Sequence, residues 1–428
     1  MRYLIRCVVF FFFSTASLFG TETHWPNWRG PNDNGSIHSG QYPVQWDLES
    51  GKIIWKSDIP GKGYSIPVVW DKRIYLTTGT EDLDTVLAFD WSGKQVWKQQ
   101  LGPEVAGKHK NASGSNSSAV TDGKAVFVFF KSGNFAAIDL DGSIRWQMNL
   151  FERFGKDERF WDFGTSPVLT RKYVVMAQMH DGPSWVAAFD KVTGKVSWKV
   201  PRNYETPKEG SQGYSTPIVF SHKEQEALLV WGGHHLTAHD ADDGKIIWSC
   251  GNFNPDGERF WPSAASPVIT ENVVVVPCGR EDRNQPRLHG IKMGGSGDVT
   301  ETHRLWKRDD IGSFIPTPAA YNGRVYLVSD KGKINCIDPL TGEDFWSGTF
   351  PKGKGNFYAS PLIAGDRLYA AREDGKVFVV KLEDTFEIIS EIDMKDKIIA
   401  SPIALSDRLL IRTNDHLYCI GSNSLSTD

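Results

Sequence analysis

Cysteine is scarce: five residues in 428, no two adjacent and none in a C-x-x-C spacing. That excludes a dithiol redox centre and covalently attached haem. Cys7 lies in the first twenty residues, which leaves Cys250, Cys278, Cys336 and Cys419. Cys250 and Cys278 fall close enough in the chain to pair, whereas four small buried hydrophobes is the simpler reading. No apolar run after residue 20 is long enough to span a bilayer, and no stretch keeps a helical period. Charge of one sign is also missing. Forty-eight basic against 52 acidic residues, with no basic stripe, argue against nucleic acid as a partner. No nucleophile-elbow phrase supports a hydrolase, and the run Gly294 to Gly297 lacks the strand–helix context of a phosphate loop.

The first twenty residues stand apart. Arg2 and Arg6 precede an apolar core beginning at Val8 to Phe13, and small residues follow at Ala16, Ser17 and Gly20. This reads as a secretory signal peptide over 1–20, with a retained anchor as the alternative. Export into the periplasm or cell envelope follows. Cys7 precedes the apolar core, so it does not mark a lipoprotein.

What the chain has in abundance is repetition. A small residue, usually proline next, then an apolar run recurs eight times: Ile66-Pro67-Val68, Ser118-Ala119-Val120, Ser166-Pro167-Val168, Thr216-Pro217-Ile218, Ser266-Pro267-Val268, Thr317-Pro318-Ala319, Ser360-Pro361-Leu362 and Ser401-Pro402-Ile403. Spacings of roughly 40–50 residues indicate a propeller or solenoid. About thirty residues after each start comes a second phrase, such as Ala188-Phe189-Asp190 through Gly194-Lys195 to Trp198. Asp and Gly build a tight turn, and Trp offers a flat face for packing between sheets. The seventh unit has Ile389 where Trp is expected. After Ser401 only three strands follow, and the missing Trp strand sits at the other end, in Gly51-Lys52-Ile53-Ile54-Trp55. The spacing therefore predicts an all-β, eight-bladed propeller of four-stranded antiparallel blades, closed by N- and C-terminal strands in one blade, which hides two sheet edges. Residues 21–45 form an N-terminal extended segment, 46–421 the propeller and 422–428 a tail.

The phrase Ala-x-Asp-x-x-Thr-Gly-Lys-x-x-Trp, best kept at Ala188–Trp198 and Ala238–Trp248, resembles the docking motif of pyrroloquinoline-quinone-like (PQQ-like) repeats. The opening Trp25-Pro26-Asn27-Trp28-Arg29-Gly30-Pro31-Asn32 resembles the start of many secreted proteins of this kind. Two branches share the repeat: quinoprotein dehydrogenases, and the non-enzymatic propeller of the outer-membrane protein assembly machinery, BamB. The motif is structural in both, so the resemblance implies the fold and leaves the activity to the loops.

The loops entering each first strand, and those between second and third strands, share one face and rim the channel. They carry Lys62, Tyr64, His109, Asn116, Arg159, Trp161, Asp162, Tyr214, Arg259, Trp261, Arg280, Tyr358, Arg372 and Arg412. Aromatics beside arginines suit recognition of a protein or an anion. The phrase Glu-Arg-Phe-Trp occurs at 158–161 and again at 258–261. Its alternative role is structural, with Trp161 and Trp261 plugging the channel mouth and each Arg pairing with Glu158 or Glu258. His234, His235 and His239 are spaced too widely along one strand to share an ion. The insertion from Gly279 to Gly297 reads as a mobile loop.

A non-enzymatic envelope scaffold that binds a protein partner, as a monomer without cofactor or metal, is the leading expectation. A quinoprotein dehydrogenase holding PQQ through Ca²⁺ is the alternative, with Asp162 and Asn116 as oxygen donors. A carbohydrate- or polymer-binding propeller is the third.

Overall fold

A computed structural model describes residues 23–49 and 51–421; the signal peptide assigned to 1–20 and the tail 422–428 lie outside the described residues. Eight sheets follow one another around a ring. Blades 1 to 7 occupy 68–103, 120–149, 168–201, 218–250, 268–308, 319–349 and 362–393. Blade 8 takes three strands from 403–420 and its fourth from Ile53–Asp58, which pairs antiparallel with His416–Ile420. The closure expected from the two chain ends is the one observed.

The tryptophan phrase shows why the blades sit where they do. In six blades the indole Nε1–H donates to a carbonyl in the turn of the next blade: Trp55 to Trp91, Trp97 to Leu140, Trp146 to Lys191, Trp198 to Ala241, Trp306 to Pro339 and Trp346 to Glu383, at 2.7–3.1 Å. The ring lies against that turn's glycine. A Cβ on Gly194 would meet Trp146 at 2.8 Å, and one on Gly244 would meet Trp198 at 2.5 Å, while both residues have positive φ. Glycine is therefore required twice over, by backbone and by the docked ring.

Blades 4 and 7 lack this bond, the buried Trp248 indole N–H of blade 4 having no hydrogen-bond partner among the described residues, and blade 5 carries an insertion. In blade 7 the register places Ser390, not Ile389, opposite the residue that Trp faces elsewhere, because the one-residue bulge falls on Ile389. In blade 5 the insertion is ordered: Val273–Arg280 and Gln285–Lys292 form a long hairpin, and Gly297–Asp298 adds a parallel strand to blade 4 beside Trp248. The charged, glycine-rich composition of Gly279 to Gly297 suggests a mobile loop; within it Gln285–Lys292 is instead a blade strand, paired along its whole length with Val273–Arg280.

The Ser/Thr of the repeat phrase has a job of its own. The backbone N–H of each one donates to the hydroxyl of the next blade's Ser or Thr. The relay starts at Ile66 N–H to Ser118 and runs through Ser166, Thr216, Ser266, Thr317 and Ser360 to Ser401, at 2.9–3.1 Å. Each bond spans one repeat, so the period in sequence is a hydrogen-bond step in space. The relay breaks only between blades 8 and 1, where Ile66 has no hydroxyl.

The N-terminal segment is a strap across the channel on the turn face. Trp25 pairs with Val69 in blade 1, and the Pro26 carbonyl accepts from Thr121 in blade 2. Buried Arg29 donates to the carbonyls of Pro318 and Pro361 in blades 6 and 7. Ser36–Ile37 then adds a parallel strand to the inner edge of blade 7. Trp28 separates the open rim-side cavity from a narrow space lined by Pro167, Pro217 and Pro267.

Candidate functional site

The strap closes one end, so the channel is a cup open on the rim face. Its cavity, about 430 Å³, is within the size range of small-molecule sites. Trp28 and the Ser/Thr relay line its depth; the connections between blades and the loops between second and third strands line its mouth.

Eight of the fourteen residues read from the sequence meet there: Tyr64, His109, Asn116, Trp161, Asp162, Tyr214, Arg280 and Tyr358. The other six are placed elsewhere. Arg412 is buried and donates to Ser65 and to the Thr77 carbonyl, stapling blade 8 to blade 1. Desolvation without a carboxylate partner lowers its pKa to about 9. Arg372 is engaged by Asp374 and the Pro351 carbonyl. Lys62 lies over Tyr64, outside the cavity. Arg159, Arg259 and Trp261 belong to the two Glu-Arg-Phe-Trp phrases, which do not adopt one arrangement. Arg159 is buried against Asp157 rather than Glu158, whereas Arg259 is exposed over Phe260. Trp261 is buried and donates to Gln285, while Trp161 stands half out of the mouth.

Asp162 organises the mouth. Its carboxylate accepts from the backbone N–H groups of Lys108 and His109 and from the Lys131 ammonium. Burial pushes its pKa up, but these donors outweigh burial and hold the group below the usual carboxylate range. The Asn116 carbonyl oxygen accepts from the backbone and hydroxyl of Ser113, and its amide donates to Phe163. The two groups offered by the sequence to a calcium ion are thus engaged inside the fold. Among the described residues no His, Cys, Asp and Glu cluster could hold a metal ion. The four cysteines are free, and burial pushes the Cys278 and Cys419 thiols up to about 12. This donor set does not fit the calcium–quinone pair. The three histidines part company: His234 bonds the Trp261 carbonyl, His235 stacks on Tyr204, and His239 lies buried between Thr237 and Gly244.

Several lining residues escaped the sequence reading. Trp28 arrives on the strap. Phe314, Asp330 and Lys331 arrive from blade 6, where Asp330 accepts from the N–H groups of Phe314 and Ile315. Burial raises the Asp330 pKa to about 7 despite those bonds. The loop between second and third strands carries no repeated phrase. Counting Val328 to Lys333 as strand, turn and strand would have placed Asp330 in that loop.

These features define a closed eight-bladed propeller of the PQQ-like class, with one end strapped and one end open. A family model described as outer membrane protein assembly factor BamB matches residues 39–182, 162–348 and 298–385, and the chain belongs to that family. The crystal structure of BamB from Moraxella catarrhalis superposes with a TM-score of 0.63 at 14% identity, covering 85% of this chain and 98% of that one. Quinohemoprotein alcohol dehydrogenase from Comamonas testosteroni superposes at 0.68 with 12% identity, covering 93% and 80%. In sequence, tetrathionate hydrolase of Acidianus ambivalens is 25% identical over 167 residues, 34% of this chain and 30% of that protein. The chain thus spans under a third of that curated relative's length.

Proposed function

We propose that this protein is a non-enzymatic binding propeller of the cell envelope, exported by its N-terminal signal, whose open rim receives a protein partner. One observation carries the reading. Phe160 and Trp161 stand side by side at the channel mouth, 57% and 41% exposed, with Lys108 over the Phe160 ring. Adjacent exposed aromatics beside cations are the composition of an interface centre rather than of ordinary surface. Membership of the BamB family supports a part in outer-membrane protein assembly, and the engaged state of Asp162 and Asn116 supports a scaffold over a quinone enzyme.

The test places a photo-crosslinking amino acid at position 160 and, as control, at Val192, which is 68% exposed on the turn face. Crosslinking in intact cells, with fractionation of the envelope, is expected to give one discrete adduct from position 160 and none from 192. Equal labelling from both positions, or a soluble cytoplasmic location, defeats the reading. Titration with PQQ and Ca²⁺ under dye-reduction conditions is expected to give no turnover, and turnover would restore the enzyme.

A further inference from the structure

The Ser/Thr relay leaves something over. In each of its bonds the hydroxyl oxygen accepts a backbone N–H, a role that uses a lone pair and leaves the O–H hydrogen free. Ser118, Ser166, Thr216, Thr317, Ser360 and Ser401 all line the cavity. None of these six hydroxyls donates to a protein acceptor among the described residues, although holding the ring together needs only their oxygens. The Tyr358 hydroxyl, at the same cavity, likewise has no protein partner.

The charges around the cavity point the same way. Asp162 is matched by Lys131, and Arg280 by Asp282. Lys331 donates to Asn356. That bond leaves the exposed Lys331 at the mouth without an ion-pair partner, and Asp330 beside it is met only by backbone N–H groups. The depth of the cup, lined by Trp28 and the relay, holds no ionic side chain among the described residues, and a charge drawn into it without a partner is costly. Flat apolar faces complete the wall: Trp28, Trp161, Tyr214 and Phe314.

We infer that the cup is a second site, beneath the rim and sharing Trp161 with it, that binds a small neutral polyhydroxylated ligand, a mono- or disaccharide. The C–H faces of a sugar ring lie on the aromatic walls, and its oxygens accept from the ring of unengaged hydroxyls. Neutral ligands of this kind match donors and flat faces together, whereas an anion such as a quinone tricarboxylate or phosphate meets no cation in the depth of the cup, where the relay hydroxyls lie.

The test uses the full mature protein and follows tryptophan fluorescence, to which Trp28 and Trp161 both report, with calorimetry for the affinity. The probes are glucose, galactose, maltose, cellobiose and chitobiose, against sodium phosphate, citrate and PQQ. Saturable binding of at least one neutral sugar is expected, and none of the anions. Ser360→Ala is expected to weaken it about tenfold while Ser360→Thr, which keeps the hydroxyl, stays within about twofold. Tyr358→Phe removes a hydroxyl that touches nothing in the protein, so it leaves the melting temperature alone and weakens binding about threefold or more. It carries the test if Ser360→Ala fails to fold. Val192→Ser, exposed on the turn face, leaves sugar affinity unchanged. The inference is overturned if no sugar saturates, if the anions bind instead, or if Tyr358→Phe and Trp161→Ala bind like wild type.

Discussion

The same four residues, Glu-Arg-Phe-Trp, stand one hundred positions apart at the entrances to blades 3 and 5, and the fold uses them in opposite senses. In the first copy Arg159 is 4% exposed, with its guanidinium 3.7 Å above the Phe163 ring, and Trp161 is 41% exposed. In the second, Trp261 is 2% exposed and Arg259 faces solvent. The difference sits in the backbone between them. Phe260 has φ of +66°, whereas Phe160 is not among the residues with positive φ. A left-handed residue turns the chain so that its two neighbours exchange inside for outside. The next residue separates the copies further. Asp162 recruits the Lys108 and His109 N–H groups and Lys131 in the first; Pro262 in the second has no side chain to do so and confines Trp261 to extended backbone. A phrase repeated without change has produced one exposed aromatic pair at the channel mouth and one buried indole.

Removing the indoles is the most severe way to challenge that contrast. Trp261→Ala empties a buried site and is expected to lower unfolding free energy by about 3–5 kcal/mol in a denaturant titration. Trp161→Ala should shift it by less than about 1 kcal/mol while losing partner and sugar binding. Equal losses in the two variants would erase the distinction. The arginines should show the mirror image on a smaller scale. Arg159→Ala strands Asp157 and the Gly213 carbonyl, which are its partners at 2.8 and 3.1 Å, at a cost of about 2–3 kcal/mol. Arg259→Ala is expected within about 0.5 kcal/mol of wild type.

The ring was legible because the repeat is a packing rule as much as a sequence rule. Trp198 needs Gly244 beneath it and the Ala241 carbonyl beyond it, so the three recur together, and the split between Trp55 and His416–Ile420 showed how the circle closes. The site was only half legible. Tyr64, Tyr214 and Tyr358 could be aligned from their anchors, and all three reach the cavity. Arg372 and Arg412 looked like surface charge, because nothing in one-dimensional spacing shows that a guanidinium will turn inward to carbonyls of a neighbouring blade. The strap was illegible for the same reason: Arg29 finds Pro318 and Pro361 some 300 positions away. Most hidden was the sign of φ at Phe260, which identical neighbours cannot reveal.

A pH titration sharpens the comparison at the residue after the tryptophan. The folded protein holds the Asp162 pKa below the value of the unfolded chain. Its stabilising contribution is therefore complete above the unfolded carboxylate pKa and disappears as pH falls through the lower, folded value. Asp162→Asn should be destabilised at pH 7 and progressively less so below about pH 4, converging with wild type in strong acid. Pro262 has no ionisable group, so Pro262→Ala should show a difference from wild type that does not change over the same range. A pH-independent Asp162→Asn deficit would mean that the carboxylate acts through shape alone.

The smallest effect addresses the cause of the inversion itself. Replacing Phe260 by Ala and by Gly removes the same ring, so the difference between the two variants isolates the backbone. At φ of +66° glycine is the relaxed residue, and Phe260→Gly should be more stable than Phe260→Ala by about 1 kcal/mol. At position 160, outside the left-handed region, the order should reverse, with Phe160→Ala the more stable by about 0.5–1 kcal/mol. Paired thermal melts of the four variants read this sign change directly. The same order at both sites would show that the copies share a backbone, and the exchange of Arg and Trp between inside and outside would then have to arise from Asp162 and Pro262 alone.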